Sequence, residues 1–245
     1  MNDYLAELHV HTVLSPCAGV EMIPPLIVDE ALRKGIQIIA ITDHNASANV
    51  KAVQKAAEGS GLVVLAGMEL QTKEEVHLLC LFEDNDSLEA WQKIVDQTLP
   101  NLENNPEFFG EQFVVDDSGD FIRSEPRLLS TSTMLSFDEA FLKVIRHGGL
   151  PIPAHVDRKV YGLFANLGLL PDYLPIEAVE ISARITLDQA YQKYPEIKNY
   201  AVIQSGDVHY LNDFLGKNHF HIAEPTLQEI RMAFKGIEGR KLFLL

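Results

Sequence analysis

Six of the nine histidines and two acids each stand at one end of a short apolar run. His9 and His11 follow the run at residues 4–8, His44 follows 38–41, and Glu69 follows 62–66. His77 opens the run at 76–82, His155 follows 150–154, and Asp207 and His209 follow 201–204. Apolar runs of this length read as buried strands. In an α/β barrel the carboxyl ends of the strands share the face where the active site lies. The pattern therefore predicts a barrel-like α/β fold with a metal site at one end.

A chain of 245 residues fits a single domain of that class. The 47% hydrophobic and 22% charged fractions are those of an ordinary soluble globular protein. A net charge of -15 opposes binding to extended nucleic acid, which relies on Lys and Arg displacing counterions. Small anionic substrates stay admissible, because divalent metals invert the local potential. Cys17 and Cys80 are no disulfide framework. The first residues lack the basic and apolar regions of a signal peptide. No apolar stretch approaches the ~18 residues of a membrane span. The expectation is a cytoplasmic protein without membrane contact; its oligomeric state is not legible.

Up to residue 70 strands alternate with helices, at about 24–34 and 46–58, which argues for a parallel sheet. Only Gln71-Thr72-Lys73-Glu74-Glu75 then separates two apolar runs. A parallel crossover needs a dozen or more residues, so a hairpin-like return is expected, with Glu69 and His77 as neighbours. Residues at about 84–147 read as an insertion or elaborated crossover within one domain spanning 1–245. It holds an amphipathic helix at 87–99, a small β-ribbon around 113–122 and a capping-box helix opening at Ser136. Short strands return at 150–154, 178–181, 201–204 and 220–222, with helices at about 186–194 and 226–235.

His9 and His11, two apart on a strand, point to one face, and neutral imidazole is a common ligand of zinc-like metals. His44 in Thr42-Asp43-His44-Asn45 has a second reading as a helix-entry residue, with Asp43 or Asn45 as cap. Glu69 reads either as a strand-end surface acid or as a carboxylate bridging two metals. Asp207 and His209 repeat the two-residue spacing on a late strand, which in a closed barrel lies next to the first.

The combined pattern Leu8-His9-Val10-His11-Thr12, Thr42-Asp43-His44, Gly67-Met68-Glu69, His77, Ala154-His155 and Asp207-Val208-His209 resembles the polymerase and histidinol phosphatase (PHP) superfamily. The resemblance implies a distorted seven-stranded (β/α) barrel, two to three divalent transition metals (Zn, Mn or Fe) and phosphoester hydrolysis by metal-activated hydroxide. By position it implies one metal held by His9, His11, Glu69 and Asp207. It implies a second at Glu69, His77 and His155, and a third at His44, His209 and a residue of the loop after His11. Members usually carry His or Asp at that last position; here it is Cys17, which reads either as a thiolate ligand or as a buried free cysteine. Cys80 reads as core.

Arg158, three residues after His155, is where phosphoesterases of the superfamily often carry an arginine. Arg184 is a second candidate for substrate phosphate, or an ion-pair partner of Glu180; guanidinium binds phosphate oxygens bidentately. Asp207 or a histidine is the candidate proton relay. The expected substrate is a small phosphate ester: a nucleotide, or a sugar or amino-alcohol phosphate. Two alternatives stand beside it. An amidohydrolase-type hydrolase also opens with His-x-His but often needs a bridging lysine, where this chain has Glu69. A non-catalytic metal-binding module is the other.

Overall fold

A computed structural model describes residues 1–245. Eleven strands form: β1 (Asn2–Val10), β2 (Ile38–Ile41), β3 (Val63–Gln71), β4 (His77–Phe82), β5 (Phe113–Val115), β6 (Phe121–Ser124), β7 (Leu150–Pro153), β8 (Ala178–Ile181), β9 (Ala201–Gln204), β10 (Asn218–Ile222) and β11 (Lys241–Leu244). Seven of them make one curled sheet in the order β11-β10-β1-β2-β3-β4-β7. β1, β2 and β3 are parallel, and β4 returns antiparallel to β3 as the short 71–75 connection requires. β8 and β9 form a separate parallel pair, and β5 and β6 the expected ribbon.

Two apolar clusters lie on opposite sides of this sheet. A cluster of 41 buried residues joins its outer face to the helices. A cluster of 17, drawing Leu8, Ile38, Leu65, Leu79, Ile152, Ala178, Ile203 and Phe220 from eight strands, fills the inside of the curl. At β1 the alternation changes phase. Glu7 pairs with Ile39 but Val10 pairs with Ile41, so β1 carries one extra residue between them. Ala6 and Leu8 point into the inner cluster before this bulge, while Val10 joins the outer cluster after it. The phase change leaves His9 and His11 on the inner face, a re-aiming that bulges commonly provide beside active sites.

Three expectations need correction. The helix expected from about residue 46 begins at Val50, and neither Asp43 nor Asn45 caps it. Asp43 instead accepts from Thr12 N and Ser15 Oγ, both at 2.7 Å, and Asn45 Oδ1 accepts from Gln71 N at 3.0 Å. Asp207 and His209 lie in the loop beyond β9 rather than on it; the contact with the first strand is a single parallel bridge, Val10 to Val208. The C-terminal segment adds an antiparallel edge strand, β11, that periodicity did not reveal.

Candidate metal centre

His9 lies at the end of β1 and His11 just beyond it, Glu69 near the end of β3, His77 at the start of β4, and His155 in the loop after β7. All five are buried, as is Asp207. The hairpin places Gln71 opposite His77, so Glu69 lies on the same face and its Oε1 is 2.8 Å from His77 Nδ1. Glu69 Oε1 is also 3.1 Å from both His9 Nε2 and His155 Nε2, and its Oε2 is 2.9 Å from His44 Nδ1. Five imidazoles surround this carboxylate once His11 Nε2, at 3.4 Å, is included.

Hydrogen bonding outside the cluster fixes which nitrogens bear lone pairs. The Glu180 carboxylate can only accept, so His9 Nδ1 donates to it at 3.0 Å. Ser15 Oγ donates to Asp43, and therefore accepts from His11 Nδ1 at 2.9 Å. Neutral imidazole carries one proton, so both Nε2 atoms present lone pairs. They face each other at 3.1 Å, with Asp207 Oδ1 3.1 and 3.2 Å away. These three electron-rich atoms and Glu69 Oε1 converge in a buried space and repel one another unless a cation sits among them. His44 Nδ1, Glu69 Oε2, His77 Nε2, His155 Nδ1 and Asp207 Oδ1 are all buried without an aligned hydrogen bond. Buried polar atoms rarely stay unpartnered, and His/carboxylate donors suit zinc-like divalent metals. The residues fit a metal cluster.

Three groups have ligand atoms within 4.8 Å of one another: His9, His11, Glu69 and Asp207; His44, Glu69 and His77; His11, His44 and His209. The first is the set that the resemblance implies. In the second, His44 takes the compact position where His155 was expected, though His155 still reaches Glu69. In the third, His11 joins His44 and His209, and Cys17 Sγ lies 3.0 Å from His209 Nε2. Cys17 is exposed at the mouth rather than buried, while Cys80 is core. Arg158 Nη1 contacts Asp207 Oδ2 at 2.5 Å. Arg184 is exposed and makes no ion pair with Glu180, whose carboxylate instead serves His9 and the His155 amide N–H at 3.0 Å.

Charge is distributed unevenly here. Burial opposes ionisation of Glu69, but His77, His9 and His44 outweigh it and hold its carboxyl well below the usual range. Burial likewise acts against His9, yet Glu69, Glu180 and Asp207 raise it well above its ordinary value, so that without a metal the acids draw onto Nε2 a proton that a bound cation would displace. Burial pushes His77 down to about 4, toward the neutral form that a metal requires. Although Cys17 is exposed at its outer side, the protein packed around its sulfur raises the thiol, and His44 and His209 outweigh this and bring it down to about 6.

The loops are strained where they present ligands. His155 (φ 28°) and Asp207 (φ 51°) adopt left-handed backbone, costing about 1–3 kcal/mol each and typical of functional positions. Gly206 precedes Asp207 because a Cβ there would meet the Asp213 carbonyl oxygen at 1.9 Å. Buried Glu7 anchors the same loop, accepting from the backbone N–H groups of Gly206, Leu215 and Gly216.

Sequence reasoning missed Glu7 and Glu180 as supporting residues. The available signal was an acid inside an otherwise apolar strand: Glu180 in Ala178-Val179-Glu180-Ile181. Carboxylates that orient ligating histidines typically contribute 10–100-fold to metal affinity. Glu180→Gln is therefore expected to weaken metal binding by about 10–100-fold with the fold intact, read by competition with a chromogenic chelator. Unchanged affinity would deny Glu180 this positioning role.

The overall fold is shared with several solved proteins. The lesion-specific endonuclease EndoQ from Pyrococcus furiosus matches with a TM-score of 0.77 at 21% identity, over 98% of this chain and 58% of that one. Endonuclease Q bound to a 27-mer duplex with an abasic lesion gives 0.69 at 20% identity, with the same coverage of each chain. The chain thus spans 58% of the length of these endonucleases. An amidohydrolase from Chromobacterium violaceum matches at 0.58 and 19% identity, over 86% of this chain and 89% of that one. No curated protein matches. Residues 7–135, more than half of the chain, match the PHP domain and include His9, His11, His44, Glu69 and His77. The chain belongs to the PHP domain family, whose members are metal-dependent hydrolases.

Proposed function

We propose that this chain is a cytoplasmic metal-dependent phosphoesterase that hydrolyses a small phosphate ester, a nucleotide or a sugar or amino-alcohol phosphate. One observation carries the reading: the lone pairs of His9 and His11 meet Glu69 and Asp207 in a buried space that only cations would neutralise. Two to three divalent ions, with Zn, Mn and Fe all suited to these donors, would polarise a phosphoryl oxygen and lower the pKa of water. The reading also treats the curled sheet, with β8 and β9, as a distorted (β/α)7 barrel, supported by the Val10–Val208 bridge.

His9, His11, Glu69 and Asp207 would hold one ion; His77, His155 and His44 would gather others around Glu69; His209 and Cys17 would complete the outermost position. Arg158 extends from the loop after β7 to the edge of this cluster, where its guanidinium would neutralise phosphate oxygens. Asp207, already in contact with Arg158 and three histidines, would relay a proton to the leaving group. Burial of His9, His11, Glu69 and His155 keeps bulk solvent off the inner ligands, while exposed Cys17 leaves the outer side open to the attacking water.

The test combines metal analysis with a panel of nucleotides, bisphosphorylated nucleotides, sugar phosphates and histidinol phosphate. Protein reconstituted with Mn, Fe or Zn is expected to cleave at least one. Metal binding without phosphoester cleavage would overturn the enzyme reading in favour of a binding module. Cleavage of oligonucleotides alone would replace the small substrate by nucleic acid, a result that the DNA-bound structural relative makes worth seeking. Cys17→Ser is expected to remove one bound metal equivalent, counted by plasma mass spectrometry. Unchanged stoichiometry and activity would take Cys17 off the ligand set.

A further inference from the structure

A histidine that holds a metal usually has the plane of its ring fixed by a hydrogen bond from its second nitrogen. His9 has Glu180 for this, His11 has Ser15, and the Asp207 carbonyl oxygen faces His209 Nδ1 at 2.8 Å. His77 has no such polar partner. Its Nδ1 is turned to Glu69, a ligand of the same centre, and its Nε2 is buried without a hydrogen bond. What meets its ring instead is aromatic. Tyr161 lies face to face with it, the centroids 4.4 Å apart and the planes at 6°. The rings of His44 and His155 meet it more edge-on, at 5.3 Å and 60° and at 5.2 Å and 59°.

The chain is bent to bring Tyr161 there. Its φ of 61° puts a bulky aromatic residue in left-handed backbone, where such residues are rare and strain marks functional positions. Gly162 makes the bend possible, since a Cβ there would lie 2.2 Å from the Arg158 carbonyl oxygen. The loop then clasps the start of β4. Ala154 N donates to His77 O at 3.1 Å, and His77 N donates to Tyr161 O at 3.1 Å. Asn166 Nδ2 donates to Glu75 O at 2.7 Å, two residues before His77. One segment, 154–166, thus grips the backbone of His77 and covers its ring. His77 is buried and Tyr161 is 37% exposed, so the tyrosine stands between this ligand and solvent.

We propose that Tyr161 is a positioning residue of the metal centre: its ring, stacked on His77, sets the plane of that imidazole and keeps it aimed at the position shared with Glu69. This role rests on the metal-dependent phosphoesterase reading and adds to it a residue that acts through His77. An imidazole turns about two side-chain bonds, the second of them with a broad preference. A flat neighbour on one face removes much of that freedom. Because the stack works through ring faces rather than a hydrogen bond, it leaves both nitrogens of His77 to the centre.

Tyr161→Phe and Tyr161→Asn separate the ring from the backbone. Phenylalanine keeps the stack. Asparagine tolerates left-handed backbone, so it keeps the carbonyl bond to His77 N and loses only the ring. Affinity for Zn and Mn is read by competition with a chromogenic chelator, and ligand geometry by the visible spectrum of the Co-substituted protein. Turnover is measured on whichever ester of the panel the wild type cleaves. In Tyr161→Asn one metal equivalent should bind about tenfold more weakly, and kcat should fall about tenfold with KM within about twofold. The Co spectrum should shift. Tyr161→Phe should match wild type in all three. If the Asn variant does not fold, Tyr161→Leu, which covers His77 without a flat face, carries the same comparison. A lowered Tm of the chelated protein with unchanged metal affinity and Co spectrum would make the tyrosine a packing residue only and overturn the proposal. Losses in Tyr161→Phe equal to those in Tyr161→Asn would assign the effect to the hydroxyl, and overturn it as well. If wild type cleaves no ester the phosphoesterase reading fails, while the affinities and the Co spectrum still decide the role of Tyr161.

Discussion

Glu69→Gln is expected to lower phosphoester hydrolysis by at least about 10³-fold and to cost the protein more than one bound metal equivalent. The carboxylate faces five imidazoles, with Oε1 turned to His9, His77 and His155 and Oε2 to His11 and His44. An amide keeps the volume but offers a single ligating oxygen, and its NH2 group has no lone pair for a metal and would instead donate to imidazole lone pairs that a metal needs. Charge stabilisation by a bound metal amounts to several kcal/mol, and each 1.36 kcal/mol is tenfold in rate. Loss of about 4 kcal/mol therefore gives the stated factor. Because the replacement is isosteric, circular dichroism should show an unchanged fold. Metal stoichiometry equal to wild type, with hydrolysis within tenfold, would refute the bridging role.

Metal should also govern stability, independently of any substrate. In the metal-free protein the buried donors confront one another without a cation, and His155 and Asp207 are held in strained backbone. A ligand bound only by the folded state stabilises it by about 4.1 kcal/mol at a thousandfold excess over Kd. For a chain of this size each kcal/mol moves Tm by about 2–4 °C. Saturation with Zn or Mn is thus expected to raise Tm by about 8–16 °C over the chelated protein. Glu69→Gln should lose most of that increase. A Tm indifferent to both metal and chelator would mean that the cluster is not a metal site, whatever its resemblance to one.

The two experiments separate roles that the geometry brings together. Glu69 is close to the whole cluster, whereas Glu180 acts only through His9 and His155.

Much of this was legible in the chain because the apolar runs are local signals. Each run is a strand that buries both faces, and a polar residue just beyond it must sit at a strand end. That reasoning located His9, His11, His44, Glu69, His77 and His155, and the five-residue connection at 71–75 dictated the antiparallel return that joins Glu69 to His77. The order of these residues was enough to suggest the family.

Which ligand sits beside which was decided only in three dimensions. The extra residue in β1 between Glu7 and Val10 changes which side chains point inward, and an alternating pattern does not announce a bulge. Glu180 and Glu7 look like ordinary acids in apolar strands until His9 and the 205–216 loop are brought against them. By itself, then, the sequence determined which residues stand at strand ends and what metal chemistry they permit, since strand periodicity and donor type are local properties. Their grouping around Glu69 and the carboxylates that orient them depend on contacts between residues up to some two hundred positions apart, and only the tertiary structure could decide those.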